Sequence, residues 1–439
     1  MKTSTRVLSI LMNGLLVGRL EKTAQGGLTF AYEQRWLKTP EARPISLSLP
    51  LVDQVFSGDV VYNFFDNLLP DNQQIRSRIQ SKFQISTNQP FDLLASIGRD
   101  CVGAIQILEG EIPDFKAEIC CEPLNHKQMA AILRGYQNYP LGMMDSKTEF
   151  RISIAGAQEK AAFLYHDGHW NRPLQSTPTS HIFKLPIGYL QQQNMDLSDS
   201  CENEWLCSKI IEAFGLPVAP CEILHFEEVK ILSVERFDRK RSADKTWIMR
   251  LPQEDMCQAL GVSPNLKYQA EGGPGIREIM HLLLGSVDTI ADRDLFYRSQ
   301  VVFWLLAAID GHAKNFSILI EPAGKYRLTP LYDVMSAYPL LNKGQLQVQK
   351  IKMAMALTGK NVHYHWHSMQ LRYFLETANR VNYAVKRAEA ILEETLEKVD
   401  IVIARVSQQL PRDFPKNIAQ PIFDGLRNAK NKLKLEKNT

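Results

Sequence analysis

DGHAKNF, residues 310–316, follows the apolar run VVFWLLAAI of residues 301–309. An acid, a histidine, a lysine and an amide therefore crowd the end of what reads as a buried helix. Polar groups beside a core element must be hydrogen-bonded, ion-bound or catalytic, because leaving them dry and unpaired is costly. Asp310 and Asn315 have the D-x-x-x-x-N spacing in which a carboxylate accepts a hydroxyl proton and an amide five residues on holds a metal. A short hairpin is expected over residues 316–320 and 326–331, and Asp333 follows it as a second metal ligand should. The D-x-x-x-x-N pair alone is common by chance, so its meaning depends on the rest of the chain.

Upstream, Phe150, Ile152 and Ile154 alternate with polar residues and predict a strand. A loop of small and polar residues follows: Ala155, Gly156, Ala157, Gln158, Glu159 and Lys160. Strands are expected over 161–165 and 181–185, the latter carrying Lys184. A helix is expected from about 198–200 to Phe214, with Gly215 after it. It carries Glu202 and Glu204. Strands over 222–226 and 229–235 lead to Arg236, Phe237 and Asp238. Beyond about residue 250 the pattern is helical, with runs at 276–284, 296–309 and 383–408.

This order is strand, small-residue loop, strand, strand with lysine, helix with glutamate, two strands, then helices. Phosphoryl transfer needs positioning and charge neutralisation more than covalent catalysis. A loop of small residues lets backbone N–H groups reach phosphates. A strand lysine holds phosphates, and a helix glutamate orients that lysine. The expected fold class is α/β (α+β), a two-lobed protein-kinase-like fold with a β-rich N-terminal part and a mostly α-helical C-terminal lobe. Boundaries are expected to give segments 1–145, 146–245 and 246–439. Spacing alone gives an ATP-dependent phosphotransferase. Two departures from ordinary protein kinases stand out: IAGAQEK is not G-x-G-x-x-G, and Ala-Ile precedes Asp310.

The first 110 or so residues read as β-rich. Residues 7–12 and 15–20 flank an Asn13-Gly14 turn, the strongest short-range hairpin signal. ISLSLPL, residues 45–51, alternates like a half-buried strand, and residues 62–69 read as a helix. The 439 residues are 45% hydrophobic and 23% charged, ordinary for a soluble globular chain. Fifty-one Lys and Arg against 48 Asp and Glu leave a net charge of +3, so charge alone marks no nucleic-acid binder. The seven cysteines include no CxxC and read as reduced thiols. No stretch approaches the ~20 apolar residues that span a bilayer, so a cytoplasmic protein with no membrane partner is expected.

The chain closely resembles the HipA serine/threonine-protein kinase toxins of bacterial type II toxin–antitoxin systems. The resemblance rests on eight ordered motifs: YNFFDNLLPDN (62–72), FDLLASIGRDCVGA (91–104), FRISIAGAQEK (150–160), HIFKLP (181–186), VERFDR (234–239), LPQEDMCQ (251–258), DGHAKNFS (310–317) and LTPLYDVMSAYP (328–339). It implies a non-specific serine/threonine protein kinase that uses ATP and Mg2+. Asp310 would be the catalytic base, and Asn315 and Asp333 the metal ligands. Lys184 would contact ATP phosphates, with Glu204 the lysine-orienting acid. Residues 155–160 would form the phosphate loop, and the backbone of Glu235 and Phe237 would meet adenine. Arg236, His312, Lys314 and Tyr332 fall among the ATP-binding positions. Ser153 would be the autophosphorylation site that switches the enzyme off. A phosphate there adds about −1.5 to −2 charge beside a loop built for phosphates. The resemblance also implies an aminoacyl-tRNA synthetase substrate (glutamyl-tRNA synthetase foremost), arrest of translation, persistence, and a HipB-like helix-turn-helix antitoxin dimer. With that dimer the chain would reach operator DNA and repress its own operon.

Other readings stand beside these. Lys314 reads either as a neutraliser of the transferred phosphoryl or as a solvated lysine. His363, His365 and His367 share a strand face, but no Cys or carboxylate cluster accompanies them. Gly272-Gly273-Pro274-Gly275 reads as a turn, and Cys257 as core. A small-molecule kinase, a non-catalytic co-repressor and a nucleotide-binding scaffold are the competing functions.

Overall fold

The computed structural model describes residues 6–138 and 160–437. The chain divides into two compact units. The first comprises Met1–Leu185, Leu224–Asn265 and Ser317–Tyr326; the second comprises Pro186–Ile223, Leu266–Phe316 and Arg327–Thr439.

The first unit opens with β1 (Arg6–Met12) and β2 (Leu15–Lys22), paired antiparallel across Asn13-Gly14. Both turn residues take positive φ, +47° and +81°, as the tight hairpin requires. With β3 (Leu28–Tyr32), β4 (Val55–Ser57) and β5 (Ile105–Glu109) they form a sheet ordered β4-β3-β2-β1-β5. Helices α1 (Asp59–Asp66), α2 (Gln73–Lys82) and α3 (Pro90–Ile97) contribute Phe64, Phe65, Ile75, Ile79, Leu93 and Leu94 to a shared core with Leu8, Ile10, Phe30 and Ile107. The helix expected at 62–69 thus begins three residues earlier and ends at Asp66.

ISLSLPL is not a strand. Its backbone is satisfied by side chains instead: Ile45 N–H donates to the Tyr32 hydroxyl at 2.9 Å and Leu47 N–H to Glu254 Oε1 at 2.8 Å. Both serines also turn to one nearby stretch of chain, Ser46 Oγ donating to Glu254 Oε2 at 2.5 Å and Ser48 Oγ to the Gln258 carbonyl at 2.8 Å. Alternation here reflects two polar anchors, not a pleat.

A six-stranded sheet completes the first unit. Its strands are β6 (Cys121–Leu124), β7 (Lys160–His166), β8 (His169–Pro173), β9 (His181–Lys184), β10 (Cys221–Phe226) and β11 (Val229–Glu235), ordered β10-β11-β9-β7-β8-β6. Helix α4 (His126–Asn138) supplies Met129, Ala130 and Leu133 to a core with Phe163, Phe183, Phe226 and Ile231. Ala161 pairs with Phe183 on that covered face, and Lys160 pairs with Lys184 on the opposite one, because side chains alternate. Strand Gln253–Asp255 pairs antiparallel with Ser317–Ile320, stitching a late piece of chain into this unit.

The second unit is helical. Its main elements are α5 (Ser200–Ala213), α6 (Thr289–Leu305), α7 (Leu371–Arg380), α8 (Val385–Ser407) and α9 (Lys416–Lys437). Gly215 follows α5 at φ +86°, as the sequence predicts for a C-terminal stop. The buried helix is α6, with Phe296, Tyr297, Phe303 and Trp304 almost fully enclosed. Among the described residues no helix is long and apolar enough to cross a membrane.

Candidate active site

The apolar run 301–309 does not carry its helix to Asp310, as the sequence leads one to expect; α6 ends at Leu305. Ala307 turns to φ +47°, and the N–H groups of Ala307 and Ala308 wrap back to the carbonyls of Trp304 and Phe303 at 3.1 and 2.8 Å. This is the Schellman closure with alanine in the left-handed position that glycine usually takes. An L residue there costs roughly 1–2 kcal/mol. Anchors surround it: Ser336 Oγ donates to the Leu306 carbonyl at 2.6 Å and Ala337 N–H to the Ala307 carbonyl at 3.0 Å. Asp310 therefore sits on a braced loop, not on a helix end.

That loop is cross-linked within itself. His312 N–H donates to the Asp310 carbonyl at 2.8 Å, and Asn315 Nδ2 donates to the same carbonyl at 2.8 Å. Asn315 spends its amide nitrogen inward, and no described residue donates to its Oδ1, which is the hard oxygen a divalent cation takes. Gly311 has no room for a side chain; a Cβ there would lie 2.6 Å from the Phe303 ring. Asp310 is exposed, whereas His312, Lys314 and Asn315 are buried, so the solvated reading of Lys314 fails.

Asp333 adopts φ +60°, a conformation Asp tolerates better than most residues. Its neighbours hold it beside the loop. The Tyr332 hydroxyl donates to the Lys314 carbonyl at 2.8 Å. On the other side, Ser336 N–H donates to Asn203 Oδ1 at 2.9 Å while Asn203 Nδ2 donates to the Ser336 carbonyl at 2.8 Å. Asn203 belongs to α5, where Glu202 and Glu204 are also buried. Among the described residues no three His, Cys, Asp or Glu side chains gather to hold a metal. A Mg2+ ion would rest on the Asp333 carboxylate and the Asn315 amide oxygen, with water or phosphate oxygens beside them. That oxygen donor set fits Mg2+.

Sequence reasoning missed Asn203, Ser336 and Tyr268. The Tyr268 hydroxyl donates to Asp310 Oδ1 at 2.5 Å, and its ring meets His312 edge-to-face at 5.0 Å. Tyr268 precedes the Gly272–Gly275 segment, where Gly272 takes φ +95° and Gly273 approaches so closely that a Cβ would lie 1.7 Å from the Leu266 carbonyl. The glycines are a turn, as expected, and the tightness of the turn was the available signal. His363 also has a plain structural place: its ring stacks on Tyr373 at 3.7 Å.

The other residues singled out in the sequence lie in the first unit. Lys184 is buried on β9, directly across from Lys160 on β7. Glu235 ends β11 opposite His181 and is exposed, and Phe237 is half-buried. Arg236 points inward. Its guanidinium bonds Asp238 at 2.6 and 2.9 Å and Thr179 Oγ1 at 3.0 Å. Arg239 and Arg250 complete a buried ionic cluster around Asp100 and Asp238. Burial alone would raise the Asp238 carboxyl; Arg236 and Arg239 outweigh it and hold the group below its ordinary value. Burial, then the nearby Arg236 charge, lowers Arg239 to about 9. The Arg236 side chain is committed to the interior. Ser153 and residues 155–159 lie outside the described residues.

Known proteins resemble the chain over most of its length. The HipA-like C-terminal domain matches residues 152–403, and the HipA N-terminal domain matches residues 8–108. Y4mE of Sinorhizobium fredii, named as a kinase, is 35% identical over 82% of each chain. The serine/threonine-protein kinase toxin HipA of Shewanella oneidensis is 28% identical over 76% of this chain and 75% of that one. The solved complex of HipA, HipB and operator DNA from the Shewanella oneidensis MR-1 toxin–antitoxin system contains a chain with TM-score 0.81 and 22% identity, covering 98% of both chains. That likeness shows a shared protein-kinase-like fold.

Proposed function

The chain belongs to the HipA family, and on that premise we propose that it is an ATP- and Mg2+-dependent serine/threonine protein kinase acting as a growth-arresting toxin. The observation that carries the reading is the braced pair of segments bearing Asp310, Asn315 and Asp333. When bound, ATP supplies the transferable phosphoryl group and Mg2+ neutralises its charge. Asp310 accepts the proton of a serine or threonine hydroxyl. Asn315 and Asp333 hold the ion. Lys184, with Lys160 and the backbone of residues 155–159, receives phosphate oxygens. The backbone of Glu235 and Phe237 takes the adenine. His312 and Lys314, buried beneath the loop, fix its shape and charge. Ser153 is the self-phosphorylated residue whose added charge turns the enzyme off.

The family resemblance carries the biology. The proposed substrate is an aminoacyl-tRNA synthetase, glutamyl-tRNA synthetase first, whose modification halts translation and promotes persistence in the cytoplasm. The proposed partner is a HipB-like helix-turn-helix antitoxin dimer, which neutralises the toxin and carries it to operator DNA as a co-repressor. The relative in the solved complex assembles with HipB and operator DNA, which supports that assignment.

The test is peptide mass spectrometry after incubation with ATP and Mg2+, beside Asp310→Asn. Phosphate on Ser153, absent from the variant, supports the reading. Binding of antitoxin and DNA with no phosphate on any protein favours the co-repressor reading instead.

A further inference from the structure

We infer that Tyr268 is a positioning residue for Asp310 and divides the labour of its two carboxylate oxygens. The inference rests on the kinase reading above. A general base works only when its acceptor oxygen is aimed at the proton it takes. Asp310 is itself exposed, and an exposed carboxylate rotates freely unless something holds it. The Tyr268 hydroxyl grips Oδ1 at 2.5 Å, and no described residue donates to Oδ2. Oδ2 is thus the oxygen left for the incoming alcohol. As the alcohol oxygen bonds to the γ-phosphorus of a nucleoside triphosphate, its proton passes to Oδ2. The bond to the departing nucleoside diphosphate breaks, and the diphosphate keeps the electron pair.

The surroundings of Tyr268 fit a fixed part. Its ring packs against His312, whose N–H donates to the Asp310 carbonyl, so one side chain steadies the acid and its loop together. Ala313 N–H donates to the Lys267 carbonyl at 3.2 Å, joining the two segments through backbone as well. Gln269 Oε1 accepts from Ala356 N–H at 2.8 Å, and Gly273 N–H returns to the Tyr268 carbonyl at 3.0 Å. Tyr268 is thus tied by its ring and its carbonyl, in a segment pinned on either side at Lys267 and Gln269.

The experiment compares the full chain with Tyr268→Phe and Tyr268→Ala, measuring kcat and KM for ATP and for phosphorylation of a serine peptide or of the protein itself. Thermal melting of each variant runs alongside. Tyr268→Phe keeps the ring against His312 and loses only the hydroxyl. The expected result is a fall in kcat of about 10- to 100-fold, the range of one hydrogen bond to a charged group, with both KM values and the melting temperature unchanged. Tyr268→Ala should lose at least as much kcat and melt lower. If Tyr268→Phe matches the parent within about twofold while Tyr268→Ala fails, the tyrosine is only packing and the inference is overturned. A faster Tyr268→Phe would overturn it too, by making the hydroxyl an obstruction. If the unaltered protein transfers no phosphate, the kinase reading falls and this inference with it.

Discussion

Asn203 on α5 and Ser336 after Asp333 exchange two hydrogen bonds, amide nitrogen to carbonyl and backbone N–H to amide oxygen. One side chain thereby satisfies both backbone groups of a buried residue. Asn203→Ala leaves them unmet, at roughly 1–3 kcal/mol for each buried group. Urea unfolding should show that loss. Phosphotransfer should fall as well, because Asp333 loses its brace. A variant of full stability would mean that water replaces the amide.

Asp310→Asn tests the base directly. The amide still accepts a hydrogen bond from Tyr268, so folding should be unaffected. Phosphotransfer should drop by about 10²- to 10⁴-fold, the ordinary contribution of a positioned general base. A smaller loss in a rapid-quench assay would remove Asp310 from that role.

Gly273→Ala tests the turn behind Tyr268. The added methyl would sit 1.7 Å from a backbone carbonyl, so the segment must move. Displacement of about 1 Å at a positioning group costs on the order of 10²-fold in rate. The expected phenotype is a slow kinase that keeps its helical circular dichroism.

Glu254 predicts a pH dependence of stability. Burial raises its carboxyl from 4.5 to about 8. Between those values the folded chain binds a proton that the unfolded chain has released, so stability falls as pH rises through that window. Below it both states are protonated and the stabilisation is complete. Glu254→Gln should flatten this part of the melting curve and melt above the parent beyond pH 8. A parent curve without a fall between about pH 5 and 8 would contradict the buried neutral acid.

Asp238→Ala should cost about 3–5 kcal/mol, the usual penalty for stranding buried charge, since Arg236 and Arg239 both rely on it. Calorimetry measures the loss. Retained ATP affinity in the folded fraction would place this cluster outside the nucleotide site.

The Asn13-Gly14 hairpin, the strand Val229–Glu235 and the stop at Gly215 were legible because local rules decide them. The order of loop, paired strands and Asp333 was legible in the apolar runs that frame it. What stayed hidden was long-range. ISLSLPL alternates, yet its partners are Tyr32 and a glutamate more than 200 residues away. The end of α6 was misjudged because Ala307 bends where a propensity argument asks for glycine. Nothing in VERFDR announces that both its arginines answer Asp238 in the interior. Tyr268 lies 42 residues from the acid it touches, with no spacing rule to join them.

The first unit is threaded from three separated stretches, and its strand Gln253–Asp255 waits for Ser317–Ile320. During synthesis the ribosome must therefore release the loop of Asp310 before that pairing can form. Non-local pairings of this kind form slowly. No contiguous fragment ending before residue 317 contains a finished first unit, so a nascent or truncated chain stays incomplete until the loop of Asp310 and the strand after it have both emerged. The order of translation itself thus delays the appearance of the finished unit.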